Sequence, residues 1–370
     1  MIRNRLATVL VAALLAVIAG GCATVTPTAA PPPPPTAQPT TPPTETTAPA
    51  ISGEVVFNSS GGVVNEILRQ CFLDPFEQDT GVTVIDTAPT DFAKLQVMVQ
   101  SGNVEWDITE IGTGQDYIRA VEMELLENFG RGTLPHLEDA VEGSVTDYGI
   151  RFGAYSTVLT YRTDEFEVAP STWADLFDTE GYPGPRSLEN TPFGNLEIAL
   201  LADGVPADAL YPLDVDRAFA KLDEIKPQVQ AYWETGAESV QLLADGESVM
   251  GTSWNGRVYA MAAEGIPIAL SWEQHLLKTA WITVPKGAPN LPAAIELMKS
   301  LMDPERQGCW NSIIPYPGNN VKAFDYVPED LWETMPTSPG NIEKAVIVDD
   351  EWWAENIEDL TRRWSEWIQE

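Results

Sequence analysis

The chain has 370 residues and a formal net charge of −34, from 21 Lys and Arg against 55 Asp and Glu. So acidic a balance argues against holding DNA, RNA or an anionic lipid surface by bulk electrostatics. Hydrophobic residues make up 44%, enough for an ordinary packed core, and His136 and His275 stand in no Cys/His cluster of metal-ligand spacing.

A basic start (Arg3, Arg5), an apolar run from Leu6 to Ile18 and the small Ala19–Gly20–Gly21 precede Cys22. This reads as a secretory signal over residues 1–21, ending at a cysteine that takes a lipid anchor. Ala19 stands where such signals usually carry Leu, and plain cleavage leaving Cys22 as a spare thiol is the alternative. The run is too short to serve as a transmembrane helix. Residues 22–51 are almost only Pro, Thr and Ala, a composition that cannot bury a core and prefers extended polyproline. The expectation is a body held off a membrane surface, in the periplasmic space or on the outer face of the cell membrane.

About 320 residues remain, enough for two domains. Gly53 to Asn58 reads as a strand, Val63 to Gln78 as a helix, and Val82 to Ile85 as a second strand. Ala93 to Val99 is helical, Trp106 to Ile111 a third strand and Tyr117 to Leu126 a third helix. Such alternation predicts an α/β fold with an open, mostly parallel sheet, whose ligands sit beyond the carboxyl ends of the strands. Here those ends are Asn58 to Gly62, with Ser59 and Ser60, and Ile111 to Gln115. Gly149 to Tyr161 is extended and crosses into a second unit. That unit begins at Trp173 to Phe177, with Ser171 or Thr172 as cap. Asn195 to Asp203, Asp214 to Ile225 and Ala237 to Gly246 are helices, and Ser248 to Ser253 is a strand ending at Trp254. Ile266 to Trp272 and Trp281 to Val284 are two further strands, and Leu291 to Met302 is a helix. Trp353, Ile357, Leu360, Trp364 and Trp367 share one helical face, which reads as core. Outside the cytoplasm Cys71 and Cys309 either pair as a disulfide or stay as buried thiols.

No enzyme signature stands out: there is no G-x-S-x-G, Walker loop, H-E-x-x-H or strand-bound G-x-G-x-x-G. The remaining chemistry is that of binding. Aromatic residues such as Trp254 and Tyr316 lie at strand ends and loops beside acids and amides, where they can box an amine.

Several stretches, in order and spacing, carry a resemblance from about Gly53 to the C-terminus. They include Asp74–Pro75–Phe76–Glu77, Trp106–Asp107–Ile108, Pro170–Ser171–Thr172–Trp173, Leu243–Ala244–Asp245–Gly246, Trp254–Asn255–Gly256–Arg257 and Val284–Pro285–Lys286–Gly287. The chain resembles the extracellular solute-binding proteins of ABC importers, nearest the spermidine/putrescine type. The resemblance implies two α/β lobes of the type II binding-protein fold, residues 52–155 with 278–345 and 156–277 with 346–370, joined by hinge strands. It implies a monomer without cofactor or metal that closes over one small solute and docks on a membrane permease, not an enzyme. Trp254, Tyr316, Glu189 and Trp353 stand at positions matching polyamine binders, and Gln115 replaces an aromatic after the third strand. An aromatic-x-Asp element is replaced by Lys278–Thr279–Ala280, which removes a carboxylate for an ammonium. Glu110, Asp116 and Glu273 are the carboxylates available in its place. A polyamine is therefore the first expected ligand, and an amino-acid-like or opine-like zwitterion, favoured by Lys278, is the second. A stalk-tethered hydrolase is the remote third.

Overall fold

Two long strands decide the architecture of the computed structural model, which describes residues 53–370. The expected signal, the lipid-accepting Cys22 and the Pro/Thr-rich stalk lie outside the described residues. In chain order the strands are β1 (Glu54–Asn58), β2 (Thr83–Thr87), β3 (Ile108–Ile111), β4 (Gly149–Arg162), β5 (Arg186–Glu189), β6 (Val229–Trp233), β7 (Met250–Trp254), β8 (Ile268–Thr283) and β9 (Val346–Ile347). They form one sheet in the order β2-β1-β3-β8-β4-β7-β5-β6, with β9 added beside β8. Pairing is parallel within β2-β1-β3 and within β7-β5-β6, and antiparallel wherever β4 or β8 meets β3, β7 or the other long strand.

The long strands serve two cores. Ile150 and Ile282, at one end of the β4/β8 pair, join a cluster with Val55, Phe57, Phe72 and Leu297. Leu159 and Leu276, towards the other end, join Trp173, Leu196, Leu222, Trp353 and Trp364. Each cluster buries the apolar faces of its own flanking helices, which is the favourable term that each α/β layer needs. Helix Asp350–Gln369 packs Trp353, Leu360, Trp364 and Trp367 into the second cluster, as its apolar stripe predicts.

Several elements differ from the sequence expectation. Ile266–Trp272 and Trp281–Val284 are two ends of the single strand β8. Its pairing partners step from Leu159↔Ser271 to Thr157↔Leu276, so residues 272–275 leave the ladder as a bulge. Gln274 there takes φ 54°. That polar interruption imitates a loop in sequence. The helix expected from Val63 to Gln78 is split by a π turn at Arg69–Leu73, ahead of Pro75. Proline has no N–H to give an uninterrupted ladder, and the π turn lets the helix continue. Cys71 on this turn is disulfide-linked to Cys309 on helix Pro304–Ile313. The third helix runs Gly114–Glu122 rather than from Tyr117, because the Thr113 side chain accepts from the Asp116 N–H and starts it early. Trp254–Asn255–Gly256–Arg257 is not only a strand end: helix Asn255–Ala263 begins inside it. Strand β6, V-Q-A-Y-W, was not among the expected strands, and β5, R-S-L-E, has no apolar signature. In β5, Arg186 is fully buried and donates to the carbonyls of Leu176 and Gly184.

Candidate functional site

The carboxyl ends of β1, β3, β5 and β7 and the middle of β4 converge on a cavity of about 310 Å³. Its wall takes Ser60 after β1, Glu110 and Thr113 at the end of β3, Glu189 at the end of β5, Trp254 at the end of β7 and Tyr155 in β4. Tyr316 comes from the loop after helix Pro304–Ile313, and Arg257 from the first turn of helix Asn255–Ala263.

The loop after β1 is rigidly held. The Ser60 N–H donates to Glu110 at 2.9 Å, the Gly61 N–H to the Asn65 side chain at 2.9 Å, and the Ser59 hydroxyl to the same Asn65 oxygen. Burial pushes the Glu110 carboxyl above its ordinary range, while the Ser60 N–H and the Arg257 charge pull it back. Tyr155 donates its hydroxyl to the Gly112 carbonyl at 2.9 Å and sets its ring edge-on to Trp254 and Tyr316, at 5.7 and 6.2 Å between centroids. Gly256 is required here, since a Cβ at that position would lie 2.5 Å from the Tyr316 ring. Burial pushes the Tyr316 hydroxyl up to about 12.

Three charges on the wall are unequal. Asp116 is engaged by Arg119 at 2.9 Å. Glu189 has Lys278 at 3.6 Å, and burial raises its pKa against the pull of Lys278. Arg257 is only 7% exposed, yet it forms no ion pair among the described residues, and its Nε–H has no partner. A buried cation without a carboxylate is costly unless something else supplies the anion.

Of the residues expected from sequence, Ser60, Glu189, Trp254 and Tyr316 meet at this cavity, as do Glu110 and Asp116. Ser59 is buried behind the loop. Lys278 is 3% exposed and stands behind Glu189, 4.2 Å from the Phe193 ring, rather than on the wall. Gln115 is buried, off the cavity lining; nearby, the Asp350 carboxyl is pushed up to about 7 by burial and by Asp349. Trp353 lies in the second core and donates to Glu197 at 2.6 Å, so the structure does not bring it to the cavity. Glu273 pairs with Lys344 at 2.6 Å, outside the cavity lining. Sequence reasoning missed Tyr155 and the role of Arg257. One signal was present for the latter: an arginine in the first turn of a helix opposes the macrodipole, so something other than helix stability places it there.

Residues 72–337 match the family described as bacterial extracellular solute-binding protein. The gamma-aminobutyric acid-binding protein of Pseudomonas aeruginosa is 33% identical over 326 residues, 86% of this chain and 92% of that protein. The spermidine/putrescine-binding periplasmic protein of Escherichia coli is 24% identical over 265 residues, 68% of this chain and 74% of that protein. Among solved structures, an ABC transporter substrate-binding protein from Bradyrhizobium japonicum superposes with a TM-score of 0.80 at 35% identity, covering 86% of this chain and 100% of that one. The binding protein AgtB of A. tumefaciens, in complex with agropinic acid, gives a TM-score of 0.80 at 29% identity, covering 86% and 99%. No helix among the described residues is long and apolar enough to cross a membrane. The two-core α/β fold, the cavity at the strand ends and these matches agree: the chain belongs to the bacterial extracellular solute-binding proteins.

Proposed function

We propose that this protein is the substrate-binding component of an ABC importer and that it captures an amino-acid-like zwitterion of the gamma-aminobutyric acid type. The observation that carries the reading is Arg257, a buried guanidinium on the cavity wall that forms no ion pair among the described residues, its charge reaching Glu110 only at longer range. Its planar fork suits a ligand carboxylate, held by two parallel charge-assisted hydrogen bonds. Glu110, which carries no ion pair among the described residues, is the acceptor for the ligand ammonium, with Glu189 beside it. Tyr155, Trp254 and Tyr316 supply ring faces and edges around that cation.

A polyamine fits less well. It would place a second cation against Arg257, and of the wall carboxylates Asp116 is already engaged by Arg119 and Glu189 by Lys278. The zwitterion therefore has better support than the polyamine, and the gamma-aminobutyric acid-binding relative and the agropinic acid complex favour it too. We place the lobe boundaries within β4 and β8, at 155/156 and 277/278, where the two strands pass from one core to the other. Closure about these strands traps the solute between groups of both lobes, and the closed form delivers it to a permease.

Thermal unfolding against gamma-aminobutyric acid, amino acids, opines, putrescine and spermidine tests the reading. A ligand at about 100 times its dissociation constant adds about 2.7 kcal/mol. A carboxylate-bearing amine gives the shift. A shift with spermidine and none with any zwitterion would overturn the proposal.

A further inference from the structure

We infer that the ligand carries an apolar arm besides its two charges, a step that rests on the zwitterion reading above. The cavity wall has two chemistries. Arg257, Glu189 and Trp254 come from the β5/β7 half of the molecule, and Glu110 from the end of β3. The rest of the wall is mixed: Ser60, Thr109, Thr113 and the unpartnered Tyr316 hydroxyl are polar, while an apolar stretch takes Val64 and Leu68 from helix Val63–Leu68, Phe152 from β4, Ile282 from β8 and Trp310 from helix Pro304–Ile313. These five are all members of the first core cluster and are between 2% and 6% exposed.

This part of the wall has nothing to offer a polar group. Four of the five side chains are hydrocarbon, and the Trp310 indole N–H is already spent on the Tyr316 carbonyl at 2.7 Å. A hydroxylated or sugar-like arm placed there would lose its hydrogen bonds to water and gain none. A water molecule would fare no better, since it needs two or more polar partners to settle in a buried space. The volume points the same way. About 310 Å³ falls at the low end of sites that take drug-sized ligands, whereas gamma-aminobutyric acid has only about seven non-hydrogen atoms, far below that class. A small unbranched zwitterion satisfies the charged groups and leaves the hydrocarbon wall uncovered. An amino acid bearing a branched aliphatic or aromatic substituent covers it.

The test is calorimetric titration of the purified protein with 4-aminobutanoate, its 3-isobutyl derivative and spermidine. The 3-substituent leaves the spacing of the two charges unchanged and adds only apolar surface. Each buried methylene tightens binding roughly fourfold, so the isobutyl compound binds at least tenfold tighter than the parent. Val64→Phe, which fills the space beside this wall, then lowers the affinity for the isobutyl compound at least tenfold more than that for the parent. Binding of the parent reports that the variant is folded, and if Val64→Phe does not fold the ratio in the unaltered protein decides. An isobutyl compound that binds no tighter than 4-aminobutanoate overturns the apolar arm and leaves the zwitterion reading standing. Binding of spermidine alone overturns both.

Discussion

Replacing Arg257 by methionine separates a binding role from a structural one, because the two predict opposite signs in two assays. Met has a comparable unbranched stem and no charge. In the ligand-free protein Arg257 is 7% exposed, forms no ion pair among the described residues, feels Glu110 only at longer range, and lacks a partner at Nε. Removing it relieves the cost of an uncompensated buried ion and takes a cation from the first turn of a helix, where the dipole disfavours it by about 0.3–1 kcal/mol. The effective desolvation penalty of an unpaired ion is several kcal/mol, moderated here by the open cavity. The ligand-free variant is therefore expected to be more stable by about 1–3 kcal/mol. Binding moves the other way. Two charge-assisted hydrogen bonds to a ligand carboxylate, at about 1.5–3 kcal/mol each, are lost. A loss of about 3–5 kcal/mol weakens the dissociation constant by roughly two to four orders of magnitude. Arg257→Lys keeps the charge but not the fork and falls between. Calorimetric titration with the tightest-binding zwitterion gives the affinity, and thermal unfolding without ligand gives the stability. If Arg257→Met lowers the ligand-free stability and leaves affinity within threefold, the guanidinium is a structural cation and the carboxylate site does not exist.

Three further outcomes follow from the same geometry. The Asp350 carboxyl is raised from its ordinary 3.8 to about 7, so the folded state holds a proton that the unfolded chain releases. Its contribution is full below about pH 4 and is lost as pH rises through 7, up to about 4 kcal/mol in all. Asp350→Asn flattens the fall in stability between pH 4 and pH 8 by that order, and parallel urea-denaturation profiles would refute the assignment. A Cβ at Gly114 would lie 1.8 Å from an Asp350 carboxylate oxygen. Gly114→Ala therefore destabilises by about 1–3 kcal/mol through overpacking, and much less in an Asp350→Ala background; strict additivity of the two changes would contradict the contact. The Cys71–Cys309 disulfide closes a separation of 238 residues. Cys71→Ser with Cys309→Ser costs up to about 5 kcal/mol, and an unchanged unfolding midpoint on this change or on reduction would show the bond carries no stability.

How much was legible beforehand differs by level. Helix Trp173–Phe177 was readable because its start is local chemistry: Asp175 accepts from the Ser171 and Thr172 N–H groups at 2.7 and 2.9 Å. The tryptophan face of Asp350–Gln369 was readable because a 3.6-residue period survives in the chain itself. Strand β5 was not, since R-S-L-E is polar in sequence. Its arginine is accommodated in the core because the Leu176 and Gly184 carbonyls, ten and two residues earlier, turn back to accept from it, a loop conformation that no apolar run announces. The bulge in β8 was invisible for a related reason: pairing partners on β4, more than a hundred residues earlier in sequence, hold both halves of one strand in line.

The same division holds for the site. Ser60 and Trp254 could be named as candidates because they sit at strand ends, which local apolar runs announce, whereas Glu189 came from the family resemblance and Tyr316 from an aromatic loop beside amides. Composition alone argued against nucleic acid, and the order of motifs pointed to solute binding. What only the tertiary structure decided was which charges are neutralised. Lys278 and Arg257 are equal as letters, but Lys278 is set behind Glu189 and Phe193 while Arg257 is left unpaired on the wall. Trp353, which its helical period marks as core and the family resemblance placed at the ligand, is a core residue in space. Whether a charge is satisfied depends on groups brought within a few ångströms from distant parts of the chain, because the energy of a buried ion is set by its neighbours and by the water they exclude.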